Sequence, residues 1–276
     1  MALSTASRSG ALGATAVARR MPVMAQALMM TWRSIVIIFR QPAAVVPPLI
    51  ISGFFLLVYQ ASLSNIASLP AFGGADYLGF ILPVSVVSAA LSGAGIAGQT
   101  IVQDIETGYF DKLLLTPINR GALLLGPIVA GALVLGLQAV LVTAIGLLLG
   151  LDSATGALGI ATVVGLALLL GIGFAGFTAG IALRTGNAAA TQGATFAFFP
   201  LTFITATFVP VELLSGWIKV AAPYNPITYL LAAMRGLLNT GWERDVLLQG
   251  VLACLGLSLL TFGFALWSLR ARTRQV

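Results

Sequence analysis

The sequence predicts an all-α polytopic membrane protein with six transmembrane helices. Of its 276 residues, 59% are hydrophobic and only 8% are charged, whereas a soluble domain carries roughly 25% charge. The mean hydropathy is +1.03. Apolar runs of about 20 residues or more, the length that crosses a ~30 Å hydrocarbon core, recur along the chain with short polar breaks between them.

Composition also removes several function classes. The net charge of +6 would suggest nucleic acid in a soluble protein; here it is explained by Arg-rich loops on one side of a membrane, and no nucleic-acid partner is expected. There is no His, and the single cysteine, Cys254, lies in an apolar run. An intrachain disulfide, a His-based triad and the usual zinc sites are excluded, and no metal site is expected. Neither lysine, Lys112 or Lys219, follows a glycine, so the chain has no GK[ST] phosphate loop. Gly171, Gly173 and Gly176 spell GxGxxG inside an apolar run, whereas a dinucleotide fingerprint needs a preceding strand and a βα turn; Gly173, Gly176 and Gly180 read instead as a small-residue face for close helix packing.

Residues 1–21 read as a disordered cytoplasmic tail, rich in Ala, Ser and Gly with three arginines and no acid. Residues 22–276 form one transmembrane domain. It opens with an amphipathic helix over 22–40, which carries Arg33, Arg40 and Trp32 and is expected to lie in the interface, with a full span as the alternative. The spans follow at about 43–63, 77–102, 121–149, 157–183, 188–209 and 246–269. The first bends at Pro47 and Pro48. The second carries Ser85, Ser88, Gly93, Gly95 and Gly98, which favour helix packing over lipid. The fifth carries Phe196, Phe198, Phe199, Phe203 and Phe208.

Two polar interruptions organise the rest. Residues 103–120, QDIETGYFDKLLLTPINR, hold three acids and two bases, whereas the 80 residues after them hold only Asp152 and Arg184. Such an island must lie outside the bilayer. If 104–116 is helical, Ile105, Tyr109, Phe110, Leu113 and Leu114 share one arc and Asp104, Thr107, Gly108, Asp111 and Lys112 the other, with Glu106 and Leu115 breaking the pattern. Pro117 ends it. The second interruption, 210–245, contains two apolar pieces of about 12 residues, 211–222 and 227–238, divided at Asn225-Pro226. Each is too short to span, so they are expected to enter and leave one leaflet as a re-entrant hairpin.

Six spans place both termini on one side with Arg8, Arg19, Arg20, Arg33, Arg40, Lys112, Arg120, Arg184, Arg270, Arg272 and Arg274, leaving Lys219, Arg235 and Arg244 on the other. The positive-inside rule makes the first side cytoplasmic and the hairpin outward-facing. No Asp, Glu, Lys, Arg or His falls within the six proposed spans, against the usual requirement of an ion-coupled carrier.

Together these features resemble the type-2 ATP-binding-cassette permease family, membrane subunits of drug, lipid and polysaccharide exporters of the daunorubicin-resistance kind. The interfacial helix with Arg40 before Pro42 matches the family's start. Asp104, Glu106, Gly108, Leu113, Leu114, Thr116, Pro117 and Arg120 match its cytoplasmic loop in order, although Gln103 and Ile105 stand where relatives often carry an Arg. Phe208, Pro210, Trp217, Asn225, Pro226, Tyr229 and Arg235 resemble its outer hairpin.

The resemblance implies a non-catalytic permease subunit in the plasma membrane. It would pair with a second copy or a related permease, and with two cytoplasmic ATPase subunits that bind the ATP and Mg. Residues 103–120 would then be the coupling helix, with Asp104, Ile105, Glu106, Gly108, Phe110, Leu113, Thr116, Pro117 and Arg120 meeting the ATPase. Pro210, Glu212, Trp217, Asn225, Pro226 and Arg235 would form an outward gate, with Glu212 pairing Arg235. Phe196, Phe199 and Phe203 would line a path for an apolar or amphipathic substrate, although packing against helices or lipid explains them equally. The alternatives are a membrane-embedded lipid-modifying enzyme and an ATP-independent carrier.

Overall fold

The structure, a computed structural model, describes residues 21–40, 42–63, 77–196, 198–205, 207 and 214–274. The expected tail, apart from Met21, lies outside them. The described chain is helical, with no strand among its residues: α1 Val23–Phe39, α2 Pro42–Leu63, α3 Tyr77–Glu106, α4 Tyr109–Leu114, α5 Arg120–Leu148, α6 Gly156–Thr185, α7 Ala188–Phe196, α8 Phe199–Phe203, α9 Gly216–Ala221, α10 Pro226–Arg235 and α11 Arg244–Arg272. A 3₁₀ turn, Ala222–Tyr224, joins α9 to α10, and a π-helical turn, Gly236–Thr240, follows α10.

Four helices, α3, α5, α6 and α11, are long and apolar enough to cross a bilayer, and α2 adds a shorter apolar stretch. Their bounds lie within four residues of the runs read from sequence. The fifth run is different. It is not continuous: α7 stops at Phe196, Phe198 sits in a turn, and α8 starts at Phe199. Pro200 is the reason, since its ring would strike the carbonyl of Phe196 in a continuous helix and it has no N–H to donate.

α3 is the axis of the bundle. Its most apolar window is 93% buried, against 22% for α11, and it packs against α2, α5, α6 and α7. Small residues permit this. A Cβ on Gly98 would sit 2.9 Å from the carbonyl oxygen of Thr178, and the Thr178 hydroxyl donates to the Ala94 carbonyl at 2.6 Å. The Gly173, Gly176 and Gly180 face does what its spacing suggests: all three abut α11, at Leu257, Thr261 and Phe264.

The connections sort to two ends. At one end Ala154 donates its N–H to Leu238 O at 2.9 Å and Thr155 Oγ1 to Leu237 O at 2.7 Å, so the α5–α6 loop meets the segment after α10. At the other end the α4–α5 loop meets α1, where Asn119 N–H donates to Gln26 Oε1 at 2.8 Å, and Arg272 Nη1 donates to Leu183 O at 3.2 Å. α1 lies along α5, with Met30 against Gly126. Phe110 and Leu113 of α4 join Ile101, Leu123, Leu183 and Leu269 in one buried apolar cluster at this second end.

Candidate functional site

The segment 103–120 is not one helix from residue 104. α3 runs on through Asp104 and Glu106, and the chain turns at Gly108 with φ +67 before α4 begins at Tyr109. The left-handed backbone suits glycine, because a Cβ there costs roughly 1–2 kcal/mol. Thr107 closes the end of α3 by donating its hydroxyl to Gln103 O at 2.8 Å. At the far side Thr116 Oγ1 donates to Leu113 O at 2.7 Å, Pro117 follows, and Asn119 Oδ1 caps α5 by accepting from Gly121 N–H at 2.8 Å.

The amphipathic reading holds for α4 itself. Phe110 is 2% exposed and Leu113 8%, each worth roughly 1.5–3 kcal/mol of apolar burial. Asp111 and Lys112 are exposed, as are Leu115, Thr116, Pro117 and Arg120 beyond the helix; Ile105 is half-buried. Glu106 is exposed on the last turn of α3 rather than set among apolar neighbours.

Asp104 turns inward. Arg33 of α1 donates Nη1 to Asp104 Oδ2 at 2.8 Å and Nη2 to Oδ1 at 2.5 Å, a bidentate pair. The same guanidinium lies 4.1 Å from the centre of the Tyr109 ring. One cation therefore joins α1, the end of α3 and the start of α4. The hydrogen bond to Asp104 raises the Arg33 pKa above its ordinary range, against the lowering that burial brings. Sequence reasoning assigned Arg33 no such role. The usable signal was an acid set among apolar Ile101, Val102 and Ile105, which needs a cation from elsewhere.

The hairpin is built around Asn225, which is 4% exposed. Its Oδ1 caps α10 by accepting from Ile227 N–H at 3.0 Å, while Nδ2 donates to the carbonyls of Leu201 and Ile204, the latter at 2.8 Å. Pro226 occupies the first helical position, where its missing N–H costs nothing. Arg235, at the end of α10, donates Nε to Phe80 O and Nη2 to Thr207 O, both at 3.0 Å, with its guanidinium 3.5 Å from the Phe80 ring centre. Trp217 is exposed. Pro210 and Glu212 lie outside the described residues, and with them the expected Glu212–Arg235 pair.

Phe196, Phe199 and Phe203 are exposed on the outside of α7 and α8, with the Phe199 and Phe203 rings 4.9 Å apart. Phe198 points the other way and packs against Phe174 and Phe177 at 4.3 and 4.9 Å. An open cleft of about 240 Å³ brings Phe196 and Phe199 together with Pro47, Pro48 and Ile51 of α2 and with Gln192 and Thr195.

A bundle of helices long and apolar enough to cross a bilayer, carrying a short amphipathic helix at one end and a capped helical hairpin at the other, defines a multi-pass membrane protein. The chain belongs to the ABC-2 type transporter family, whose model matches residues 25–239. It is a permease subunit of an ABC exporter. It is 25% identical over 268 residues to the daunorubicin resistance ABC transporter permease protein DrrB1 of Streptomyces coeruleorubidus, covering 93% of this chain and 90% of that one. It is 24% identical over 213 residues to the probable doxorubicin resistance ABC transporter permease protein DrrC of Mycobacterium tuberculosis, covering 77% and 76%. Over 162 residues it is 24% identical to the putative transport permease ycf38 of Cyanophora paradoxa, covering 58% and 56%.

Proposed function

We propose that this chain has six spans and both termini in the cytoplasm of a cell whose plasma membrane it crosses. It pairs there with a second permease, identical or related, and with two cytoplasmic ATPases that bind Mg and ATP. Its cargo is an apolar or amphipathic molecule, and the names of its doxorubicin- and daunorubicin-resistance relatives favour a drug. The excess of eleven bases over three supports the orientation.

The observation that carries the mechanism is the reach of α3. At 1.5 Å per residue its 30 residues make a rod about 45 Å long. One end holds Asp104, bound to Arg33 and adjoining α4; the other holds Phe80, bound by Arg235 of the hairpin. ATP-driven closure of the ATPases pushes on α4 and the exposed residues around it, Glu106, Lys112 and Thr116. The Arg33 bracket makes α1, α3 and α4 move as one body, and α3 delivers the displacement to the hairpin across the membrane. Hydrolysis itself belongs to the partners, because this chain has no phosphate loop.

Doxorubicin accumulation tests this reading in drug-sensitive cells that express the chain with its cognate ATPase. Joint expression should lower accumulation and either subunit alone should not. Purified alone, the chain should hydrolyse no ATP. Lowered accumulation by the chain without any ATPase would contradict the proposal.

A further inference from the structure

At the end of the bundle that holds α4, the α4–α5 loop and the last turn of α11 leave a cleft of about 200 Å³. Its walls are apolar: Leu114, Leu115, Ile118 and Leu123. Its rim is Arg120 and Thr273, joined by a hydrogen bond from Arg120 Nη1 to Thr273 Oγ1 at 3.1 Å. Leu115 is 88% exposed. The chain end that carries Thr273 is rich in cations. Arg274 follows Thr273, Arg270 lies three residues before it, and both are exposed, as is Arg120. Arg272 is committed inward, to Leu183 O and to the Phe110 ring at 5.8 Å. Among the described residues the one ion pair is Arg33 with Asp104, and none of these four arginines meets a carboxylate of a described residue.

Exposed arginines beside the exposed Leu115 make opposite demands on a ligand. Free phosphate would satisfy the guanidiniums and leave Leu115 in water. An amphiphile with an anionic head satisfies both, since phosphate oxygens accept paired N–H bonds from Arg and the first methylenes of an acyl chain cover the exposed Leu115 and the half-buried Leu114 and Ile118. The depth agrees: α5 starts at Arg120 and α11 ends at Arg272, so the cleft lies where two spanning helices leave the hydrocarbon for the headgroup layer.

We propose that this cleft binds the phosphodiester headgroup of an anionic phospholipid in the leaflet facing α4, which is the cytoplasmic one in the orientation proposed above. The lipid neutralises Arg120, Arg270 and Arg274 and seats the α4–α5 loop against α11.

The full chain, reconstituted into phosphatidylcholine nanodiscs with or without phosphatidylglycerol and released into mild detergent, tests this by native mass spectrometry of retained lipid. Wild type should retain phosphatidylglycerol in preference to phosphatidylcholine. Each arginine near an anionic surface is worth about a five-fold change in binding, so Arg274→Gln should retain about five-fold less and Arg120→Gln/Arg274→Gln about 25-fold less. The Arg120→Lys/Arg274→Lys pair should retain most of it. Arg274 is exposed beyond the end of α11, so that single variant reports binding even if the double variant fails to fold. Equal retention by wild type and Arg274→Gln overturns the proposal. Displacement of the lipid by millimolar inorganic phosphate would assign the site to a soluble phosphate and overturn it too. A loss of ATPase co-purification in Arg274→Gln with lipid retention unchanged would assign the surface to the ATPase, with the same consequence.

Discussion

The guanidinium of Arg33 holds both carboxylate oxygens of Asp104, 71 residues further along the chain, and covers the ring of Tyr109. The acid is 6% exposed, so its carboxylate oxygens rely on that partner for hydrogen bonds. Arg33→Ala should lower the stability of the purified chain by roughly 1–3 kcal/mol, the cost of leaving a buried charged acceptor without its donor. Arg33→Lys should recover only part of it, because an ammonium cannot make the paired bonds. Thermal unfolding of Arg33→Ala, Asp104→Ala and the double variant checks this: the two effects should fall short of additivity by more than about 0.5 kcal/mol.

Gly108 gives a clean test of backbone against packing. Its φ is +67 and a Cβ there would meet nothing within 4 Å, so any penalty is conformational. Gly108→Asn should be nearly silent, Gly108→Val should cost roughly 1–2 kcal/mol, and Gly108→Pro, with φ fixed near −65°, should disrupt the turn. All three should insert in the membrane; transport should fall in the order Asn, Val, Pro. Full transport by Gly108→Pro would remove this turn from the coupling path.

Asn225→Asp separates a cap from a clasp. As an N-cap alone, Asp is as good as Asn. Here Nδ2 also donates to the Leu201 and Ile204 carbonyls, and a carboxylate would set oxygen against oxygen. Asn225→Asp should therefore destabilise more than Asn225→Ala in thermal unfolding. The reverse order would show that capping dominates.

The sequence-derived topology makes its own prediction about access. In a Cys254→Ala background, cysteines at Ser153 and Gly241 should react with an impermeant thiol reagent added outside intact cells, and one at Thr185 should not. The hydrogen bonds from Ala154 and Thr155 to Leu238 and Leu237 place the first two at the same end of the bundle. Labelling of Thr185 from outside would overturn the six-span orientation.

Spanning helices were legible because their signal is local. The apolar runs at 121–149 and 157–183 state their own lengths, and α5 Arg120–Leu148 and α6 Gly156–Thr185 match them to within two residues. The small residues of α3 and α6 likewise declared close packing. Two local cues were underweighted: Gly108 separates α3 from α4, and Pro200 divides the fifth apolar run. That Asp104 needs a cation was legible from its apolar neighbours, but that Arg33 supplies it was not, because the pairing depends on how α1 docks along α5. The same is true of Arg235 on Phe80 and Asn225 on Ile204, whose partners lie 155 and 21 residues away.

Photo-crosslinking tests the central claim, that the short helix after α3 is where the ATPase acts, most directly. A photoreactive residue placed at Lys112, exposed on α4, should capture the cognate ATPase in membranes that carry both subunits, and one placed at Ala154, exposed at the opposite end, should not. Capture from Ala154, or none from Lys112 while the two subunits still co-purify, would contradict it.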